Sequence, residues 1–407
     1  MYNPLPPLRN DIEVMPSPAP QQPGLLIRDP YRYSEAILII PPVLTPALAF
    51  LDGQKSPLEL QDFLTRRIGQ IVPSQVVHDL VKTLDDQGFL RTEKFEAMRE
   101  ARRSEFRDRS ERHPAHAGSG YPADSEGLRQ QLMEYMTGAD GHENASELTA
   151  IAAPHVSLFG GWKSYASAYS RLTPDLADKT FIILGTSHYG EPEKFGLTRK
   201  SFITPMGTLQ TDTALVDWLE QRAPNSILME DYCHSIEHSI EFQCLFLQHM
   251  LGAQVRVLPI LCGPFLQSLL TREAPESHEG VRRFFDALGE LAALEASRLF
   301  WVLGIDLTHI GRRYGDDFAA VAERGRMADV QQQDRDRLNR VCEGDRSGFL
   351  ELVTPQRDAL RWCGFAPLYT FLKAVPGVRA NVLKYEQWNI DEESVVSFAA
   401  MEFFRKV

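Results

Sequence analysis

The spacing of apolar positions changes character several times along this chain. Over residues 1–24 it has no period, and recurring proline blocks both helical and ladder hydrogen bonding. A flexible tail is predicted there. Residues 25–95 carry helical spacing instead. Ser56-Pro57-Leu58-Glu59 reads as a helix start: serine caps, proline suits the first helical position, and glutamate completes a capping box. Leu58, Leu60, Phe63 and Leu64 then line one face of a short helix. Val76, Val77, Leu80, Val81 and Leu84 line a second helix, over residues 74–87, which Gly88 stops. Phe89-Leu90 opens an extended piece. Two helices followed by a strand predict a small winged-helix domain over residues 25–95. Residues 96–113 mix charges of both signs with few apolar positions, the pattern of a solvated helix or charged linker.

A large domain is predicted over residues 114–407. Short apolar runs at 148–153, 181–184, 255–261, 299–305 and 382–385 alternate with helical patterns at 213–222, 240–251, 281–294 and 331–341. Such alternation predicts an α/β fold with a mostly parallel sheet flanked by helices.

Charge narrows the partners. The 43 Lys and Arg against 55 Asp and Glu leave a net charge of −12, which disfavours nucleic acid and anionic membranes. The winged-helix module holds Asp79, Asp85 and Asp86 against Lys82 on its second helix, the wrong balance for phosphate contacts. Its outline is similar to small winged helices that bind precursor peptides in peptide-modification pathways. No apolar run is long enough to span a membrane, and the N-terminal residues lack the pattern of a secretory signal. Five unpaired-looking cysteines suit a reducing compartment, so a cytoplasmic location is expected.

The polar residues gather after the apolar runs. His155 follows the first, His188 the second, Cys262 the third, and Asp306 and His309 the fourth. In open α/β sheets ligands bind beyond the carboxyl ends of the strands, so these side chains share one edge. Imidazole and thiolate together suit iron, copper or zinc. Cys363 stands where a helix begins, a place that favours the thiolate. Asp306 and His309, three apart, would face the same way on a helical turn and serve acid–base chemistry. Each residue alone reads as a capped loop or core position; their repetition at successive strand ends makes the case. Other motifs fail. His234-Ser235-Ile236-Glu237-His238 has the inverted zinc-peptidase spacing but lacks a later helical carboxylate. Gly160-Gly161-Trp162-Lys163-Ser164 breaks the phosphate-loop pattern at Trp162, and no dinucleotide or serine-elbow glycine pattern occurs.

Taken in order, His116-Ala117-Gly118-Ser119-Gly120-Tyr121-Pro122, Ala153-Pro154-His155, Gly185-Thr186-Ser187-His188, Glu237-His238-Ser239-Ile240-Glu241, Asp306-Leu307-Thr308-His309-Ile310-Gly311, Cys363-Gly364 and Ser397-Phe398-Ala399-Ala400 resemble the Memo family, in prokaryotes protein B of the AmmeMemoRadiSam system. The resemblance covers residues 112–407. It implies a fold like that of class III extradiol dioxygenases. It implies a metal set of His155, His188 and Cys363, with iron or copper as candidates. Asp306, His309 and His238 map onto pocket positions with catalytic roles. It also implies a pathway partner of the radical S-adenosylmethionine class. The chain departs from the pattern at Val156-Ser157-Leu158, Tyr189 and Gly120, which bear on pocket shape. Three functions are weighed on this pattern: a metal-dependent, dioxygenase-like oxidoreductase; a non-catalytic protein whose pocket and winged helix bind a small molecule, peptide or partner; and, after these, zinc-peptidase chemistry at His234 and His238.

Overall fold

The computed structural model describes residues 3–138 and 148–405, and the chain divides into two compact units between Asp108 and Arg109. In the first unit, strands Glu13–Pro16, Leu25–Arg28 and Ile37–Ile40 form an antiparallel sheet. Helices Pro57–Ile68, Ser74–Asp86 and Glu93–Asp108 follow. The helix start at Ser56 is as the sequence predicts: Ser56 caps with Glu59 in a reciprocal box, and Gly69 ends the helix in the left-handed conformation.

Three expectations for this region change. Residues 3–24 are not a free tail: Leu5 is fully buried, and Arg9 is buried against Asp29 while stacking on Phe95. Local proline content hides this, because the partners lie far along the chain. The extended piece at Phe89-Leu90 is a single antiparallel bridge from Leu90 to Leu8. Of the two readings of 96–113 the structure takes the helix, Glu93–Asp108, and the large unit begins at Arg109 rather than 114. Arg112 belongs to that unit as a buried residue of a two-residue strand.

The second unit is built on a twelve-stranded sheet among the described residues. Its centre is parallel. Leu148–Ala153 pairs with Leu299–Gly304, which pairs with Thr180–Thr186, which pairs with Arg256–Cys262. Alternate residues of these strands enter two apolar layers. Ala150, Ala152, Ile182, Leu184, Trp301 and Leu303 join one layer. Ile151, Ala153, Phe181, Ile183, Phe300 and Val302 join the other. Burial on both faces explains why the sequence shows continuous apolar runs rather than alternation. Helices Thr213–Arg222, Glu279–Leu294, Arg326–Cys342 and Phe365–Ala374 contribute to the first layer. Helices Ser125–Met136, Leu158–Tyr169 and Glu241–Leu251 contribute to the second. The glycine-rich stretch 160–164 thus lies inside a helix, not in a phosphate loop.

The edges are antiparallel. The run at 382–385 is part of a strand Val378–Asp391, which makes a long hairpin with Ser394–Arg405; the latter joins the sheet against Leu148–Ala153. Among the described residues no helix is long and apolar enough to cross a membrane.

Candidate metal centre

Strand register places the site. Gly304 lies level with Ala153 on one side and Gly185 on the other. Two residues beyond each of Ala153, Gly304 and Thr186 come His155, Asp306 and His188. Three neighbouring strands therefore deliver three polar side chains to one carboxyl edge, as the sequence predicts. His238 reaches the same place by another route. It lies between a short 3-10 turn, Tyr232–Ser235, and the helix Glu241–Leu251. That segment packs tightly on the sheet: a Cβ at Gly304 would meet the Ser239 carbonyl oxygen at 2.2 Å. Only glycine admits this approach.

The rings of His155 and His188 are 5.0 Å apart, those of His155 and His238 5.2 Å, and those of His188 and His238 5.0 Å. One ligand atom from each of the three lies within 4.8 Å of the others. Their partners fix the tautomers. His155 Nδ1 is 2.9 Å from the Gly304 carbonyl oxygen, which only accepts, so Nδ1 carries the proton. His188 Nδ1 donates to Glu237 at 3.0 Å, and His238 Nδ1 lies 3.2 Å from the same carboxylate. His309 Nδ1 donates to the Leu307 carbonyl at 3.0 Å. In each of the four imidazoles Nδ1 is thus the nitrogen engaged by a backbone carbonyl or carboxylate, the outer support that metal-binding histidines favour.

Cys363 joins from the other side. Its Sγ lies 3.3 Å from His155 Nε2 and 3.5 Å from the Asp306 carbonyl oxygen, and it also hydrogen-bonds His188. A Cβ at Gly364 would meet the same Asp306 carbonyl at 2.6 Å, so the Cys363-Gly364 pair needs its glycine to come this close. Asp306 Oδ1 accepts the backbone N–H groups of His155 and Val156 at 3.0 and 3.2 Å, and Oδ2 lies 3.5 Å from His155 Nε2.

The electrostatics separate the members. Burial, reinforced by the neighbouring imidazoles of His188 and His238, holds His155 well below the usual imidazole range. Burial also pushes His309 down to about 4. At His188 burial opposes the charge, but Glu237 and Cys363 together outweigh it and hold the ring well above its ordinary value. Burial opposes the Glu237 charge as well; the two facing imidazoles overcome it and keep the carboxylate far below its usual range. Two expectations are corrected. Burial pushes the Cys363 thiol up, although His188 and the helix Phe365–Ala374 stand beside it. Asp306 and His309 do not share a helical turn: the chain leaves the strand Leu299–Gly304 and re-enters a short strand at His309–Gly311, paired with Ser394–Val396.

His234 does not enter the cluster. It sits in the 3-10 turn with Nε2 against the Gly196 carbonyl at 3.0 Å, so the inverted zinc-peptidase spacing has no structural counterpart. The chief omission from the sequence reading is Glu237, 1% exposed, which holds both His188 and His238. Its backbone carbonyl is in turn held by buried Arg112 at 2.8 Å. The carboxylate stands beside His238 in the motif, but nothing in its spacing distinguishes it from a surface acid.

The Memo-like protein family model matches residues 112–402, a span that contains every residue of this cluster. A MEMO1 family protein of Aquifex aeolicus is 25% identical over 385 residues, covering 93% of this chain and 96% of that one. That share exceeds what residues 109–407 supply, so the likeness reaches into the first unit. MEMO1 family proteins of Methanosarcina mazei and Thermus thermophilus are 26% and 27% identical, covering 71% and 72% of this chain and 98% and 83% of theirs. The crystal structure of uncharacterized protein JW3007 from Escherichia coli K12 aligns with TM-score 0.39 at 12% identity, over 63% of this chain and 99% of that one. With its family model matched over most of its length, this chain belongs to the Memo-like protein family.

Proposed function

We propose that this chain is a metal-dependent redox enzyme of dioxygenase-like chemistry, with His155, His188 and Cys363 holding an iron or copper ion. The observation that carries the reading is the convergence of three imidazoles: His155, His188 and His238 each engage Nδ1 with a carbonyl or carboxylate, and one ligand nitrogen from each lies within 4.8 Å of the others. A sulfur 3.3 Å from one of those nitrogens completes a soft, mixed N/S donor set that fits such metals. Bound there, the metal would supply electron transfer and polarise an oxygen-bearing substrate.

The protein's own groups divide the remaining work. His238, its side chain 29% exposed, faces solvent and holds its Nδ1 proton against Glu237, so Nε2 accepts a proton from a bound molecule. His309, held neutral with a value of about 4, serves as a second acceptor beside Asp306. Asp306 orients the His155 backbone through two N–H groups. A cleft of about 290 Å³ opens on His188 and Cys363 and is walled by Pro264, Phe265, Leu269 and Trp362. Its walls suit a small, largely apolar substrate.

Metal analysis of anaerobically purified protein tests the reading. Stoichiometric iron or copper in the wild type, and its loss in His155→Ala/His188→Ala, is the expected result. Equal metal content in both proteins contradicts it.

A further inference from the structure

The loop that carries Cys363 is costly to build. Gln356, Arg357, Asp358 and Arg361 all have φ between 53° and 61°, a left-handed conformation that non-glycine residues adopt at a cost. Such a stretch keeps its shape only where outside contacts over-determine it. Arg361 is held by Asp316 at 2.8 Å and the His309 carbonyl at 3.0 Å, while the contacts on Asp358 and Trp362 come from one helix, Arg326–Cys342.

Asp334 on that helix is 0% exposed and accepts four hydrogen bonds. Its Oδ1 takes the Thr308 hydroxyl at 2.6 Å and the Trp362 indole N–H at 2.7 Å. Its Oδ2 takes the Ser397 hydroxyl at 2.6 Å and the Tyr385 hydroxyl at 2.8 Å. Trp362 immediately precedes Cys363, and Thr308 lies between Asp306 and His309. The same carboxylate therefore ties the sulfur-bearing loop to the Asp306–His309 segment and to both strands of the hairpin. Arg337, one turn on, holds Asp358 at 2.8 Å, and Asp358 accepts the Trp362 backbone N–H at 2.6 Å. Trp362 is thus gripped at both its ring and its backbone from one helix face.

We propose that Asp334 is a positioning residue for the metal centre: by joining Trp362 to Thr308 it sets the Cys363 sulfur against His155. Asp334 lies outside every motif that marks the site and touches no candidate ligand itself. The metal part of this inference rests on the function proposed above; the geometric part does not.

The test uses the full chain carrying Asp334→Asn, which keeps the shape but turns an amide N–H₂ toward two of the four donors. In metal-free protein, alkylation of Cys363 by iodoacetamide should quicken about tenfold or more, as expected for losing two charged buried hydrogen bonds. Mass spectrometry locates the label, Cys363→Ser confirms it, and unchanged labelling of Cys342 shows that the fold is intact. In protein loaded with Co(II), the thiolate-to-metal charge-transfer band should weaken or shift, with affinity lowered about 10- to 100-fold. Where Asp334→Asn does not fold, Trp362→Phe, which removes the indole donor and keeps an aromatic ring, should give the same changes at smaller size. A folded variant with wild-type alkylation and a wild-type band overturns the proposal. A wild type that binds no metal, together with faster Cys363 alkylation in the variant, sinks the metal reading and upholds the positioning role.

Discussion

The two sides of the candidate metal centre are held by different means. The imidazole side hangs on strand ends. His155 and His188 each follow a buried parallel strand by two residues, and their Nδ1 protons go to partners that the sheet edge supplies directly. The thiol side hangs on an irregular loop with four left-handed residues, anchored by a helix whose own sequence lies some thirty residues away. Regular structure positions the first two side chains almost without help; the third depends on a buried hydrogen-bond cluster. A buried polar cluster of that kind holds its shape only while every member is satisfied. The thiol side is therefore where distant substitutions should act.

Three experiments break or sharpen this contrast. A loss of affinity as large as that of Asp334→Asn is expected on the imidazole side at its one shared support. Glu237→Gln removes the charge that faces His188 and His238 together, and metal affinity by titration calorimetry should fall about 10- to 100-fold. Unchanged affinity would mean that the strand ends alone suffice. The Asp334→Asn test probes the thiol side in the same currency of affinity, but it should also free the sulfur, which Glu237→Gln should not.

A smaller, graded effect is expected from pH. His188 is held above its ordinary 6.5, so it carries a proton that a metal must displace. Its charge stabilises the metal-free fold fully below 6.5, and that contribution is lost as pH rises through the raised value. Glu237 lies below its ordinary 4.5, so its contribution is present above 4.5 and is lost as pH falls through the lowered value. The pair therefore supports the metal-free protein best between 4.5 and 6.5. As pH rises toward and through the raised value of His188 a metal would meet less competition, and the gap in Tm between loaded and metal-free protein should widen with pH. A gap that stays constant across that range would contradict the assignment of His188 as a ligand.

The same contrast explains what the sequence discloses. Buried parallel strands are legible because burial on both faces writes continuous apolar runs, and the strand-end histidines are legible because they follow those runs. The capping box at Ser56 is legible because all its partners are local. Arg112, Glu237 and Asp334 are not. Arg112 reads as one more charge in a charged stretch, yet it is buried and grips the carbonyls of His234 and Glu237 at 2.7 and 2.8 Å. Asp334 sits among Gln, Asp and Arg residues of a helix that looks solvated, yet it is wholly enclosed. The short strands Phe195–Leu197, Ser201–Thr204, Gly207–Thr211 and Ile227–Met229 were also invisible. They are too brief to write a period and are placed by their neighbours. Position along a strand can be read locally; a buried charge can be read only from the partner that neutralises it.

X-ray absorption at the metal edge, on anaerobically loaded protein, decides whether the two sides meet at one ion. A shell of nitrogen with one sulfur, the sulfur lost in Cys363→Ser and the nitrogen retained, is the predicted result. A nitrogen and oxygen shell that Cys363→Ser leaves unaltered would contradict the account.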